Sequence, residues 1–344
     1  MAKPFEHIGV WMNREDLLER QPGHLDRVMD DLAGIGVTHL YPEVYFRGGA
    51  AYPSGVAPIH GEFQIVRGGG EAGRPDLLAR LVELAHARSI EVHPWVWVFC
   101  AGYWHAFGPV LQAHPDWAEL DQDHQPFSNW RYGTAWLCPA LPQVRSYLLA
   151  VLEELVTRWA VDGLHLDYIR YNEEEVGSFG FHPSSLEAFR RDSGGGPDLA
   201  TAAGRAAWTA WRSRQVSSFV QEVDRRLHQL RPQLQLSAAV VPDPDQSYSN
   251  ACQQWGDWIQ QGLLHHVLPM AYRTDVEELR TVLRQMREKL PPSRVYPGLA
   301  VWVPPDGMVQ QVELVQEEGF SGVTFFSTLN LTEAHYKALR TALG

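Results

Sequence analysis

Short runs of apolar, β-branched and aromatic residues alternate, from one end of the chain to the other, with longer segments whose apolar positions recur every three or four residues. The strand-like runs are HIGVWMN (7–13), VTHLYPEVYF (37–46), IEVHPWVWVFC (90–100), VDGLHLDYIRY (161–171), QLSAAVVP (235–242), HHVLPMAYR (265–273), RVYPGLAVWV (294–303) and GVTFFSTLN (322–330). Each is followed by a helix-like segment, such as HLDRVMDDLAGIG after the first and DVEELRTVLRQMREKL after the sixth. Gly34, Gly36, Gly262 and Gly319 stand where such helices should stop. Eight consecutive strand–helix units predict an α/β protein built as one (β/α)8 TIM barrel spanning residues 1–344. An open doubly wound sheet is the alternative. Its dinucleotide-binding form is disfavoured because no glycine-rich fingerprint follows the first strand.

No Pro- or Ser-rich linker divides the chain, and Gly68 to Gly70 and Gly194 to Gly196 read as ordinary loops between elements. Two connections are long. One runs from Ala101 to Ala140 after the third strand and carries Trp104, Trp117, Trp130 and Trp136; the other follows the fourth strand and carries Glu173, Glu174 and Glu175. Both leave strand carboxyl ends, the face on which such barrels build their sites. The run of three glutamates itself reads as a solvated loop.

Side chains alternate along a strand, so if Leu164 and Leu166 face the helices, then Gly163, His165, Asp167 and Ile169 face the barrel interior. The same parity sends Gly9, Trp11 and Asn13 inward on the first strand, Tyr41, Glu43 and Tyr45 on the second, and His93, Trp95 and Trp97 on the third. Met270 and Tyr272 follow on the sixth, and Gly298, Ala300 and Trp302 on the seventh. A barrel that were only packed core would carry Val, Ile and Leu there. Aromatic and ionisable groups instead predict a binding site.

Composition sharpens this picture. Thirteen Trp in 344 residues and 11% aromatics supply rings in quantity, and a net charge of −12 leaves no basic footprint for nucleic acid or an anionic membrane. An acidic balance would suit a cationic substrate such as an amino-sugar polymer, and it also serves solubility. Cys100, Cys138 and Cys252 are odd in number and lack metal-ligand spacing, so they are expected as reduced, buried thiols. No cofactor and no metal are expected. MAKPFEHIGVW contains no apolar signal region, which makes a cytoplasmic protein the expectation for the chain as it stands; a secreted protein trimmed of its leader would read the same.

Rings beside carboxylates suit sugar recognition, because a pyranose face stacks its C–H groups on Trp or Tyr while its hydroxyls need hydrogen-bond partners. Cleaving a glycosidic bond then requires a proton donor for the leaving oxygen and an anionic group near the developing oxocarbenium. Asp167, buried among Trp and Tyr, would have a raised pKa suited to the acid role.

The segment WLCPALPQVRSYLLAVLEELVTRWAVDGLHLDYIRYN resembles the fourth-strand region of the glycosyl hydrolase-like family 10 proteins, polysaccharide-hydrolase-like (β/α)8 barrels. YPEVYFRGGAAYPS, HPWVWVF, HPDWAELDQDHQP and WGDWIQQGLLHHVLPMAYR resemble further blocks of that pattern in the same order, so the likeness runs from Ile8 to Leu331. It implies a catalytic domain acting on glycosidic bonds, with Asp167 as the leading catalytic group. The family's usual Pro after the fourth-strand Tyr is Asn172 here. A more distant likeness is to family 18 chitinases, whose Asp-x-Asp-x-Glu series falls on His165, Asp167 and Ile169, so the chitinase proton donor is missing.

The second catalytic carboxylate is expected to be Glu43 or Asp243, the latter in VVPDPD after the fifth strand. Trp11, Trp95, Trp97, Tyr272 and Trp302 are expected to stack on sugar, with Tyr45, Tyr52 and Ser54 at the rim and Met270 and His93 lining the interior. Arg170 is expected to form an ion pair, and His165 is either a partner behind Asp167 or a satisfied core histidine. Two rival functions remain. One is a metal-dependent deacetylase in which His93, His165 and Asp167 converge. The other is a barrel that binds carbohydrate without cleaving it. No residue pattern names the sugar, the linkage or an oligomeric state.

Overall fold

The computed structural model describes residues 5–18, 21–65, 76–103, 105–126, 133–172 and 179–343. Eight parallel strands follow one another round a ring: β1 (His7–Met12), β2 (His39–Phe46), β3 (Glu91–Val92, then Trp95–Trp97), β4 (Gly163–Asp167), β5 (Gln235–Val240), β6 (His266–Pro269), β7 (Gly298–Ala300) and β8 (Gly322–Phe326). β8 returns to pair with β1, His7 standing opposite Gly322, and one bridge between Val267 and Val295 joins β6 to the approach of β7. This is the (β/α)8 barrel that the alternating pattern predicts.

The helices that return between strands are α1 (His24–Gly34), α2 (Leu77–His86), α3 (Pro142–Arg158), α4 (Ala202–Leu230), α5 (Trp255–Gln260), α6 (Val276–Lys289), α7 (Pro305–Glu317) and α8 (Glu333–Leu343). Their ends are chemically marked. The Asp275 side chain accepts from the Glu277 and Glu278 amides at 2.9 Å each, capping α6, while Arg287 and Lys289 face its negative end. Gly36, Gly262 and Gly319 take the positive φ that stops a helix. Between barrel and helices lies a continuous aliphatic layer that includes Val10, Leu40, Val96, Leu164, Leu166, Val267, Leu299 and Val323, all buried. Each contributes roughly 1.5–3 kcal/mol by leaving water. Among the described residues no helix is long and apolar enough to cross a membrane, and Cys100, Cys138 and Cys252 are buried free thiols.

The interior alternates as parity requires, with two departures. The register of β2 against β3 shifts between Glu43, opposite Trp95, and Tyr45, opposite Val96. Partners in a parallel pair face the same side, so Tyr45 turns with Val96 toward the helices, and Phe46 takes the mouth-side place near Trp97. Secondly, the third strand ends early: Cys100–Tyr103 already belongs to a separate antiparallel sheet with Ala106–Phe107 and Thr134–Trp136, formed within the long connection. Gly68 to Gly70, Trp104, Trp130 and Glu173 to Glu175 lie outside the described residues.

The amino end of the barrel is floored by imidazoles. His7, His39, His93 and His266 crowd beneath Tyr41, whose hydroxyl meets His266 Nε2 at 3.0 Å and His7 Nε2 at 3.3 Å. Gly163 leaves room for this layer, because a Cβ there would lie 2.4 Å from His93 Nδ1. Burial, reinforced by their mutual repulsion when charged, holds His7 and His266 well below the usual imidazole pKa.

Candidate active site

Asp167 is the last residue of β4, and the chain turns at once: Tyr168 has φ 50°, which brings its amide back onto Asp167 Oδ1 at 2.6 Å. Two further donors meet the carboxylate. The Trp95 indole N–H reaches Oδ2 at 3.0 Å, and Arg170 Nη1 reaches Oδ1 at 3.2 Å. Burial pushes the carboxyl pKa up, and Arg170, the Tyr168 amide and the Trp95 N–H oppose it without reversing it. Arg170 is itself buried and its guanidinium lies 4.6 Å from the Tyr168 ring centre. Oδ1 is therefore saturated by two donors, whereas Oδ2 receives one and keeps a lone pair for a proton.

Rings wall the space above. Trp95 and Trp97 are 6.4 Å apart, Trp97 lies 4.6 Å from Tyr168, and Trp11 lies 5.7 Å from Phe326. Tyr272 packs on Phe326 at 5.0 Å and on Trp302 at 5.6 Å. Trp302 is 51% exposed, an open lip on a wall of buried and half-buried rings. Gly298 leaves room for the Trp11 ring, since a Cβ there would come within 2.8 Å of it. Met270 follows β6 half-buried.

Glu43 stands opposite Trp95 across the β2–β3 pair and is 1% exposed. Arg14, from the turn after β1, donates to Glu43 Oε2 through Nη1 at 3.0 Å and through its amide at 3.4 Å. Burial pushes Glu43 up against this pull. The Arg14 guanidinium also lies 4.7 Å from the Phe46 ring centre and pairs with Glu62 at 3.0 Å.

Other expected residues lie elsewhere. Asp243 caps the helix Pro244–Ala251, accepting from the Asp245 amide at 2.9 Å, and pairs with Lys289 at 3.1 Å. Despite partial burial, Lys289 and those amides hold its carboxyl below its usual range. It is engaged as a cap and an ion-pair partner. Tyr45 meets Tyr147 of α3, hydroxyl to hydroxyl, at 3.2 Å, and Tyr52 packs edge-on to Trp159 at 5.1 Å. Both lie behind the barrel wall, as does Ser54, which donates to Glu154 of α3. For Tyr45 the β2 bulge is the physical reason; Tyr52 and Ser54 lie in the connection after β2, which runs back over α3.

His165 is a satisfied histidine. Trp11 Nε1–H can only donate, so His165 Nε2 accepts at 3.0 Å and Nδ1–H donates to Ser237 Oγ at 2.9 Å. His93 bonds to Glu91 in the layer below, at 3.2 Å. His93, His165 and Asp167 thus occupy three levels with separate partners, and the convergence required of a deacetylase centre does not form. His265 points outward toward His228 of α4, ring centres 5.5 Å apart.

Phe326, Tyr168, Phe46 and Arg14 were absent from the sequence expectations. Parity along GVTFFSTLN would have found Phe326, opposite Trp11 and Ala300 on the inward face. Arg14 carries no such signal, because it belongs to a short helical turn, not a strand.

The barrel matches solved structures of glycoside hydrolases. The glycoside hydrolase domain of PgaB (BpsB) from Bordetella bronchiseptica superimposes with a TM-score of 0.76 at 15% identity, covering 99% of each chain. The catalytic domain of β-amylase from Paenibacillus polymyxa gives 0.67 at 9%, covering 98% of this chain and 97% of that one. At these identities the likeness is one of fold. Among curated proteins, glycosyl hydrolase YngK of Bacillus subtilis is 22% identical over 285 residues, 76% of this chain and 51% of the relative. Glycosyl hydrolase DigH of Escherichia coli K12 is 23% identical over 281 residues, 74% of this chain and 58% of the relative. The chain thus spans little more than half the length of these relatives. With the model of the glycosyl hydrolase-like 10 family matching residues 7–305, the chain belongs to that family.

Proposed function

We propose that this protein hydrolyses glycosidic bonds of a poly- or oligosaccharide, amino-sugar polymers included, with Asp167 as the proton donor to the leaving oxygen. The observation that carries the reading is a carboxyl with a raised pKa at the carboxyl end of β4, its Oδ2 holding one free lone pair beneath a wall of Trp, Tyr and Phe rings. Arg170 and the Tyr168 amide fix Oδ1, so that proton transfer is confined to Oδ2. Trp97, Tyr168, Tyr272, Phe326 and Trp302 supply faces on which pyranose rings stack. Glu43, buried and raised in pKa, is the second carboxylate of the reaction, and Arg14 sets its orientation. Names among the structural neighbours, a glycoside hydrolase domain and a β-amylase, support the same substrate class.

A second reading, a barrel that binds sugar without cleaving it, draws on one observation: three donors on Asp167 also suit a purely structural carboxylate. The discriminating experiment is Asp167→Asn, with glycan binding and product release measured on the same preparation. Turnover lost with binding retained supports hydrolysis. No product from the unmutated protein across a broad panel of polysaccharides, with binding present, supports the binder.

A further inference from the structure

We propose that the amino-terminal mouth of the barrel holds a divalent transition-metal site, of the kind zinc occupies, formed by His39, Glu91 and His93. The three ligand atoms lie within 4.8 Å of one another. His39 and Glu91 are directly opposite across the β2–β3 pair, and His93 follows Glu91 by two residues on the same face. Strand alternation therefore aims all three side chains to one place.

The spacing is that of a coordination shell. Ligands at 2.0–2.2 Å from a tetrahedral zinc are about 3.4 Å apart along each edge. Glu91 Oε2 lies 3.4 Å from His39 Nε2 and 3.2 Å from His93 Nε2. Two imidazoles and a carboxylate are a recognised donor set for zinc and its neighbours, with water completing the shell.

Hydrogen bonding behind His39 leaves it able to present Nε2 to a cation in that gap. Thr38 Oγ1 donates to the Ile8 carbonyl at 3.3 Å and accepts from the Ile8 amide at 2.9 Å. When its proton is so used, its remaining lone pair accepts from His39 Nδ1–H at 2.7 Å; in the other tautomer the hydroxyl donates to Nδ1 and Nε2–H donates to Glu91. In the first tautomer a neutral His39 presents the Nε2 lone pair to a carboxylate oxygen, acceptor facing acceptor, which is the form a metal ion would select. A metal ion in the gap would satisfy that lone pair, and an outer partner on Nδ1 such as Thr38 is what metal-binding histidines ordinarily have. Gln235 Nε2 donates to Glu91 Oε2 at 3.0 Å and orients the carboxylate in the same way. His93 is fully buried, and its Nε2, 3.2 Å from Glu91 Oε2, has only that carboxylate as partner among the described residues and is the atom that would ligate. Glu91 is the accessible member, its side chain 42% exposed, so an ion enters from solvent.

The site lies at the end of the barrel opposite Asp167, where a metal would act as a staple. β3 is interrupted between Val92 and Trp95, and His93 stands in that interruption. A bound ion would tie the break to the first residue of β2. No metal-ligand pattern announces this in the sequence, because the three residues come from two strands.

The test uses the purified full chain after removal of metals with chelator. Titration with Co2+ alone is followed by visible absorption, and Zn2+ binding by calorimetry. One equivalent is expected, with the ligand-field bands of four- or five-coordinate cobalt, displaced by Zn2+. His39→Asn and Glu91→Gln should each weaken binding by about 100-fold or more, while His24→Gln, at another partly exposed histidine, leaves it unchanged. If a variant fails to fold, X-ray absorption at the zinc edge of the unmutated protein decides, with two imidazoles and one carboxylate expected. A featureless cobalt titration, or binding equally strong in both folded variants, overturns the proposal and leaves His39 and Glu91 as an imidazolium–carboxylate pair.

Discussion

The indole N–H of Trp95 donates to Asp167 Oδ2 at 3.0 Å, on the same oxygen that would carry the transferable proton. This bond stabilises the ionised carboxylate, opposing the burial that raises its pKa. Trp95→Phe keeps a ring in the wall and removes the donor. The Asp167 pKa should then rise further, and since a general acid works only while protonated, the alkaline limb of kcat/KM should move to higher pH in the variant. Rate profiles against pH for the two proteins check this. An alkaline limb that stays in place or moves downward means that Asp167 is not the titrating acid.

Glu43 makes a separable prediction, because its partner Arg14 has other company. Arg14 also meets Glu62 at 3.0 Å and Glu15 at 3.2 Å, so Glu43→Gln leaves the guanidinium paired. The cost in stability should be no more than about 3 kcal/mol, the upper scale of a hydrogen bond to a charged group. If Glu43 is the second carboxylate, kcat should nevertheless fall by at least about 10²-fold. Kinetics beside thermal melting resolve the two roles. A variant that loses stability and keeps its rate marks Glu43 as an anchor for Arg14.

How the site could be read from sequence depends on which rule each residue obeys. Leu164 and Leu166 against His165 and Asp167 follow strict alternation, and the barrel, the β4 carboxylate and the inward Trp11, Trp95 and Trp97 follow from it. Tyr45 escapes because the shift after Glu43 adds a residue to one strand, and alternation carries no record of an insertion. Asp243 looked like a strand-end acid, yet the Pro244 that follows it is equally the mark of a helix start, and the capping reading is the one realised. The arginine on Glu43 comes from a turn far away in the chain, a contact only the closed ring creates. His39 and His266, each the first residue of its strand, were open to the same parity rule that found His165.

Trp302 and Tyr45 separate binding from packing. Trp302 is half-exposed at the mouth, so Trp302→Ala should leave the melting temperature nearly unchanged while raising KM about 3- to 10-fold, the scale of one lost stacking contact. Tyr45→Phe removes only the bond to Tyr147 behind the wall, costing about 1 kcal/mol of stability with KM unaltered. Steady-state kinetics and melting of both variants check the pair. A KM rise in Tyr45→Phe would place substrate on the far side of the β2 bulge.

Glu119, away from the barrel mouth, should govern much of the pH dependence of stability. It is 1% exposed, and its Oε1 accepts from the Leu120 amide at 2.9 Å and the His182 amide at 3.3 Å. Burial raises its carboxyl to about 7, against the pull of the Leu120 amide, the Cys138 thiol and the His182 amide. Because the folded pKa lies above the unfolded one, near about 4.3, the folded state binds the proton more tightly. That stabilisation is fully present below about pH 4 and is lost as pH rises through about 7. At about 1.4 kcal/mol per pKa unit the whole effect is about 4 kcal/mol. Glu119→Gln keeps the Oε1 acceptor and cannot ionise, so its urea-unfolding free energy should fall less than that of the unmutated protein between about pH 4.5 and 8.5. The difference between the two curves isolates Glu119 from Asp167 and Glu43, whose raised pKa values act with the same sign in both proteins. Parallel curves would show that the Glu119 carboxyl binds its proton no more tightly in the folded protein than in the unfolded chain, which overturns the effect of burial.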